Sequence, residues 1–181
     1  MGLPVDKLIC ASNENKVLFD FFSTGTYNRK RDFILTSSPS MDILISSNLE
    51  RLLFDVTGHN TEKVAGWMKE LSETGRYQVD AETLAAIQEV FAADYCDDKT
   101  TEETIAEVYE STHYLCDTHT AVAVNAYEQY LQETKDDTPT VVVSTASPYK
   151  FTDSVLKAVS KHYDAAMDEF AKVQQLSKET G

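Results

Sequence analysis

The chain opens its pattern with a short continuous apolar run, residues 7–12 (Lys-Leu-Ile-Cys-Ala-Ser), which predicts a buried strand emptying into a polar loop. From residue 13 the period lengthens. Val17, Leu18, Phe21 and Phe22 share one helical face, with Asn13–Asn15 as candidate caps and Gly25 as terminator. Residues 26–40 are polar and irregular and predict a loop. Ser47 and Glu50 fit a capping box for a helix through Leu52, Leu53, Phe54 and Val56 as far as Gly58. Val64, Trp67, Met68 and Leu71 mark a helix over 62–74, closed by Gly75. Asp80 caps a further helix with Leu84, Ile87, Val90 and Phe91 inward, and Thr100 with Glu103 forms a second capping box ahead of Ile105, Val108 and Tyr109. Thr118 opens a long helix with Val124, Tyr127 and Leu131 on its stripe. Residues 140–145 (Thr-Val-Val-Val-Ser-Thr) are β-branched and continuous, as in a strand buried on both faces. Ser147-Pro148 reads as an N-cap followed by an N1 proline, and helices at about 151–160 and 163–178 end the chain, the last lined by Tyr163, Met167, Phe170 and Val173.

The sum is an α/β chain, rich in helix, whose two clearest strands lie at opposite ends. Two strands do not make a stable sheet alone, so either their sheet is completed by sequence outside this chain or the fold is mainly helical with a vestigial sheet. Gly2 and Pro4 look like the end of a helix and a turn, which likewise suggests a start within a helix-to-strand connection. No internal repeat or Pro/Gly/Ser-rich linker divides residues 1–181, so a single unit is expected.

Composition narrows the function classes. The 181 residues are 42% hydrophobic and 25% charged, values of an ordinary folded domain. Sixteen Lys and Arg against thirty Asp and Glu give a net charge of −14, a field that repels nucleic acid. No apolar run approaches the roughly 18 residues of a membrane span. The N-terminal residues lack the basic and apolar regions of a signal peptide. Three cysteines (Cys10, Cys96 and Cys116) in no framework spacing fit a reduced, cytoplasmic setting.

Candidate chemistry is sparse. His113, Cys116 and His119, spaced by threes, suggest a metal set at first sight, but a fourth ligand is not evident and packing histidines are the favoured reading. Ser144 and Thr145 follow a predicted strand, the place where open α/β sheets hold ligands, and can bond a heteroaromatic nitrogen without carrying charge; capping the next turn is the rival role. No dinucleotide-binding glycine motif, phosphate-binding glycine loop or nucleophile elbow is present. Asp97-Asp98, Asp136-Asp137 and Arg29–Arg31 fit solvated loops.

Six stretches together resemble threonine synthase: residues 9–15 (Ile-Cys-Ala-Ser-Asn-Glu-Asn), 21–27 (Phe-Phe-Ser-Thr-Gly-Thr-Tyr), 38–43 (Ser-Pro-Ser-Met-Asp-Ile), 46–52 (Ser-Ser-Asn-Leu-Glu-Arg-Leu), 117–122 (Asp-Thr-His-Thr-Ala-Val) and 142–151 (Val-Val-Ser-Thr-Ala-Ser-Pro-Tyr-Lys-Phe). They occur in the family's order and span most of the chain. The resemblance implies a lyase dependent on pyridoxal 5'-phosphate, with the tryptophan-synthase-β-like fold (fold type II), helix-rich with a partial, mostly parallel sheet that belongs to a three-layer αβα parent. It implies the conversion of O-phospho-L-homoserine and water to L-threonine and phosphate. It also implies that residues 1–181 are an internal or C-terminal fragment of the large cofactor-binding domain, lacking the Schiff-base lysine and the phosphate loop and therefore inactive alone. A non-catalytic binding module derived from the enzyme is the alternative. On this resemblance Thr145, with its neighbour Ser144, matches the hydroxyl position that bonds the cofactor's pyridine nitrogen. Asp117, Thr118 and His119 match a segment on the cofactor side near the substrate, and no metal is implied. Ser147 and Tyr149 depart from the His and Ala that many members carry. The expected partners are the missing N-terminal half of the enzyme and the substrate, with self-association through uncovered sheet edges, and no nucleic acid or membrane.

Overall fold

The computed structural model describes residues 4–181; the turn expected at Gly2 lies outside the described residues. Strand β1 (Leu8–Ser12) is followed by helix α1 (Val17–Thr24), β2 (Thr26–Asn28), α2 (Leu49–Val56), α3 (Thr61–Thr74), β3 (Arg76–Gln78), α4 (Ala81–Val90) and β4 (Phe91–Tyr95). Helices α5 (Asp98–Thr112), α6 (Thr118–Thr134), α7 (Thr152–Val159) and α8 (Glu169–Thr180) complete the order, with 3-10 turns at Pro39–Met41 and Pro148–Phe151. The fold is helix-rich with a small parallel sheet. β1 runs parallel to β4, Leu8 opposite Phe91 and Ser12 opposite Tyr95, and α1 and α6 pack against the pair.

Two apolar clusters hold the elements. The first joins α1, α2, α3 and α4 through Phe21, Leu53, Val64, Trp67 and Ile87. The second joins α5, α6, α7 and α8 through Ile105, Ala121, Val155, Leu156 and Leu176. Helix ends follow local chemistry. Asn60 accepts from the Lys63 N–H at the start of α3, and Asp80 accepts from the Thr83 N–H at the start of α4. Gly25 and Gly75 close α1 and α3 with φ of +73° and +79°; a Cβ at Gly75 would also meet Lys30 Cε at 2.8 Å. Burial pushes the thiols of Cys10, Cys96 and Cys116 up to about 11; all three are free, and as thiols they behave as small apolar groups. No helix among the described residues is long and apolar enough to cross a membrane.

Several sequence expectations need correction. The loop expected over 26–40 begins with β2, antiparallel to β3 with Tyr27 opposite Tyr77. Three-residue strands are too short to show a period, and the stacked ring pair, 5.3 Å between centroids, is what holds them. The α4 helix stops at Val90, and Phe91 starts β4 instead of lying on a helix face: pairing with β1 overrides the helix propensity of Ala92-Ala93. Neither capping box forms. Asn48 is the N-cap of α2 and makes no side-chain cap bond, while Asp97, accepting from the Thr100 N–H, opens α5. Helix α8 begins at Glu169, so Tyr163 and Met167 precede it and Phe170 is 84% exposed; the buried face is built on Lys172 and Leu176. Lys172 reaches that face by extending its ammonium to Asp153 of α7 and Glu169.

Residues 140–145 are neither hydrogen-bonded into a sheet nor buried on both faces. The segment belongs to no strand, and Val141 and Val143 are 86% and 71% exposed. A β-branched run specifies extended backbone, but a strand exists only where a neighbouring strand supplies its ladder, and none of the described residues lies in register with it.

The hydroxyl of Tyr77 is buried without a hydrogen-bond partner among the described residues, while that of Tyr27 donates to the Leu44 carbonyl and accepts from the Ser46 N–H. Removing an unsatisfied buried hydroxyl relieves its desolvation cost. Tyr77→Phe is therefore expected to raise unfolding stability by about 1 kcal/mol, whereas Tyr27→Phe lowers it by about the same amount, measured as urea midpoints at equal m-value.

Candidate functional site

The N-terminus of α6 is a densely bonded polar point of the described chain. Asp117 is its N-cap because a carboxylate one residue before the first turn can accept the helix's unpaired N–H groups. Its Oδ1 accepts from the N–H of His119 at 2.9 Å and of Thr120 at 3.3 Å, and lies 3.2 Å from His119 Nδ1. Its Oδ2 accepts from the Thr120 hydroxyl. The Asp117 side chain is fully buried, which is tolerable because four donors surround it. His119 Nε2 accepts from the backbone N–H of Ser40 at 3.1 Å. Nε2 therefore keeps its lone pair, the ring proton sits on Nδ1 facing Asp117, and the imidazole is neutral. The ring packs on Phe151, 4.7 Å between centroids. Thr118 is buried, its hydroxyl 3.3 Å from His119 Nδ1. The N–H groups of His119 and Thr120 are thus spent on the protein's own carboxylate.

The extended segment that ends at Thr145 is tied to this point by one residue. The Ser144 hydroxyl lies 3.0 Å from that of Thr120 and accepts from Tyr114 at 3.2 Å. Thr145 is exposed, and its hydroxyl has no hydrogen-bond partner among the described residues. Ser147 then caps the following 3-10 turn by accepting from the Tyr149 N–H. The structure brings Asp117, His119, Thr120 and Ser144 into one bonded group and leaves Thr145 at its open end.

A second cluster escaped sequence reasoning. At the carboxyl end of β1, Asn13 and Asn15 are buried, and their side-chain amides donate to Asp42 Oδ1 at 2.7 and 3.0 Å. Thr36 donates to the same carboxylate, and the Asn13 amide also reaches Ser38. Asn15 Oδ1 accepts from the Ile34 N–H. These bonds shape residues 33–42 and so carry Ser40 to His119. The signal was an Asn-x-Asn placed directly after an apolar strand, where side-chain amides fasten a loop to the strand end.

The donor set fits the ring end of pyridoxal phosphate. Thr145 offers a neutral hydroxyl with open valence, and the nearby carboxylate is sealed off. The described residues contain no glycine loop for a phosphate, since Gly25, Gly58 and Gly75 stand at helix ends. His113 is the left-handed C-cap of α5, Cys116 is buried and His119 is bonded at both nitrogens, and no group of three metal-ligating side chains is found among the described residues.

The family model described as "Threonine synthase, C-terminal" matches residues 120–180. The threonine synthase of Saccharomyces cerevisiae is 36% identical over 192 residues, which cover 98% of this chain and 37% of that protein. The threonine synthase of Pseudomonas aeruginosa is 41% identical over 159 residues, covering 87% of this chain and 33% of that protein. The crystal structure of PLP-bound threonine synthase from Brucella melitensis matches with a TM-score of 0.83 and 36% identity, over 96% of this chain and 37% of that one. The chain thus spans about a third of the length of these relatives.

Truncating Asp117 would leave the buried N–H groups of α6 and the His119 ring without an acceptor. Asp117→Ala is expected to lower unfolding stability by about 3 kcal/mol, read from urea denaturation. Exchange of Ser144→Ala, at the edge of the same group, is expected to cost about 1 kcal/mol or less.

Proposed function

We propose that this chain, which belongs to the threonine synthase family by sequence and fold, supplies the ring-facing side of a pyridoxal-phosphate site in an enzyme that converts O-phospho-L-homoserine and water to L-threonine and phosphate. The observation that carries the reading is the identity to threonine synthases along nearly the whole chain, joined to the same backbone fold.

When bound, the cofactor supplies an electron sink for negative charge developing on the substrate carbon next to its amino group. The chain's own contribution is orientation. Thr145 presents the hydroxyl that would bond the ring nitrogen. A neutral hydroxyl lets that nitrogen stay unprotonated, where a carboxylate would hold a proton on it. Ser144 fixes the backbone of Thr145 by its hydroxyl contacts to Thr120 and Tyr114. Asp117, Thr118 and His119 stand behind it and hold the end of α6 against the Ser40 turn. Their bonds are made within the chain, so their proposed role near the substrate is positioning. The phosphate-binding loop and the lysine that carries the cofactor belong, on this reading, to the remaining two thirds of the enzyme, and the free thiols suit a cytoplasmic setting.

A chimaera tests this directly: the matched segment of the Saccharomyces cerevisiae enzyme is replaced by this chain in a strain lacking threonine synthase. Growth without added threonine is expected, and failure to produce an active chimaera would contradict the reading. In the purified chimaera Thr145→Val is expected to lower kcat/KM about 100-fold, while Thr145→Ser keeps most of it. An unchanged kcat/KM in Thr145→Val would remove Thr145 from the site.

A further inference from the structure

One hydroxyl decides how residues 141–146 are held. Among the described residues the segment makes no backbone hydrogen bond, and its side-chain bonds all run through Ser144 Oγ. That oxygen lies 3.0 Å from the Thr120 hydroxyl and 3.2 Å from the Tyr114 hydroxyl. Tyr114 comes within reach because His113 ends α5 in the left-handed region, at φ +58°, and turns the next residue off the helix line. The Tyr114 N–H is then fastened to Thr112 Oγ1 at 3.1 Å, while the side chain stays 52% exposed.

The protons of this group can run in one direction only. A hydroxyl has one proton and two lone pairs. Thr120 gives its proton to Asp117 Oδ2, because a carboxylate oxygen accepts. The contact between Thr120 and Ser144 is therefore made with the Ser144 proton, and the contact between Ser144 and Tyr114 with the phenol proton. The order is Tyr114 to Ser144 to Thr120 to Asp117, from a half-exposed phenol to a buried carboxylate. Ser144 has no proton left for a ring nitrogen, whereas the neighbouring Thr145 hydroxyl keeps its own.

We infer that Tyr114 is a positioning residue for the proposed reaction: by donating to Ser144 it heads this chain of hydroxyls and fixes the backbone that presents Thr145. The inference rests on the family reading above and adds to it a residue that acts through another. Tyr114 ties the end of α5 to a segment thirty residues on that is otherwise bonded only to α6. A phenylalanine there would keep the ring and lose the tie.

Three variants separate this role from a merely structural one: Tyr114→Phe, Ser144→Ala and the two combined. In the chain itself Tyr114→Phe is expected to leave the urea midpoint nearly unchanged, because the lost bond is open to water. Backbone nitrogen-15 order parameters are expected to fall at residues 143–146 from about 0.85 to about 0.6, and to hold level in α5 and α6. In the chimaera described above, Tyr114→Phe should lower kcat about tenfold with KM changed by no more than about twofold, and should shift the absorption band of the bound pyridoxal phosphate. Ser144→Ala should lower kcat at least as far, and adding Tyr114→Phe to it should cost nothing more. Order parameters unaltered at 143–146 would overturn the inference. So would an unaltered kcat, or losses that multiply in the combined variant. An inactive parent chimaera would tell against the family reading instead, and the order parameters would still decide whether Tyr114 holds the segment.

Discussion

The carboxylate of Asp117 is the constraint on which the candidate site depends. It is buried from solvent, so it must be fully bonded, and its donors come from α6's own first turn. Those donors fix the His119 ring, the ring fixes the Ser40 turn, and the Thr120 hydroxyl reaches Ser144 at the end of the extended segment. Three stretches distant in sequence are thereby registered by one side chain. The consequence for chemistry is an economy of charge: the only acid at the centre is consumed by structure, and what faces outward is a neutral hydroxyl.

Such an arrangement suits a protein segment whose task is to orient a heteroaromatic ring. A free carboxylate beside the ring nitrogen would hold a proton there, and a free imidazole would add a second acid-base group. In the described residues the carboxylate accepts from four donors and the imidazole is engaged at both nitrogens. The second network, Asn13 and Asn15 on Asp42, serves the same end from the β1 side by shaping the loop that delivers Ser40.

Most helices were legible in the sequence because each carries its own signals: Asp80 as a cap, Gly25 and Gly75 as stops, and an apolar stripe between. What the sequence hid depends on partners. β4 contains Ala92-Ala93, which reads as helix until its pairing with β1 is known. Residues 140–145 announce an extended backbone, and among the described residues no strand pairs with it. Phe170 and Met167 imitate a helical stripe, yet the buried face of α8 is set by Lys172 reaching Asp153. The family resemblance singled out Ser144, Thr145, Asp117, Thr118 and His119 as candidates, whereas the joining bonds through Thr120 and Ser40 required three-dimensional proximity.

The most direct test of this account is the tautomer of His119, read by nitrogen-15 chemical shifts of the imidazole near neutral pH. The account predicts a neutral ring with its proton on Nδ1, facing Asp117, and an unprotonated Nε2 accepting from Ser40. A ring protonated at Nε2 would contradict it, because the bond that joins the Ser40 turn to α6 could not then exist.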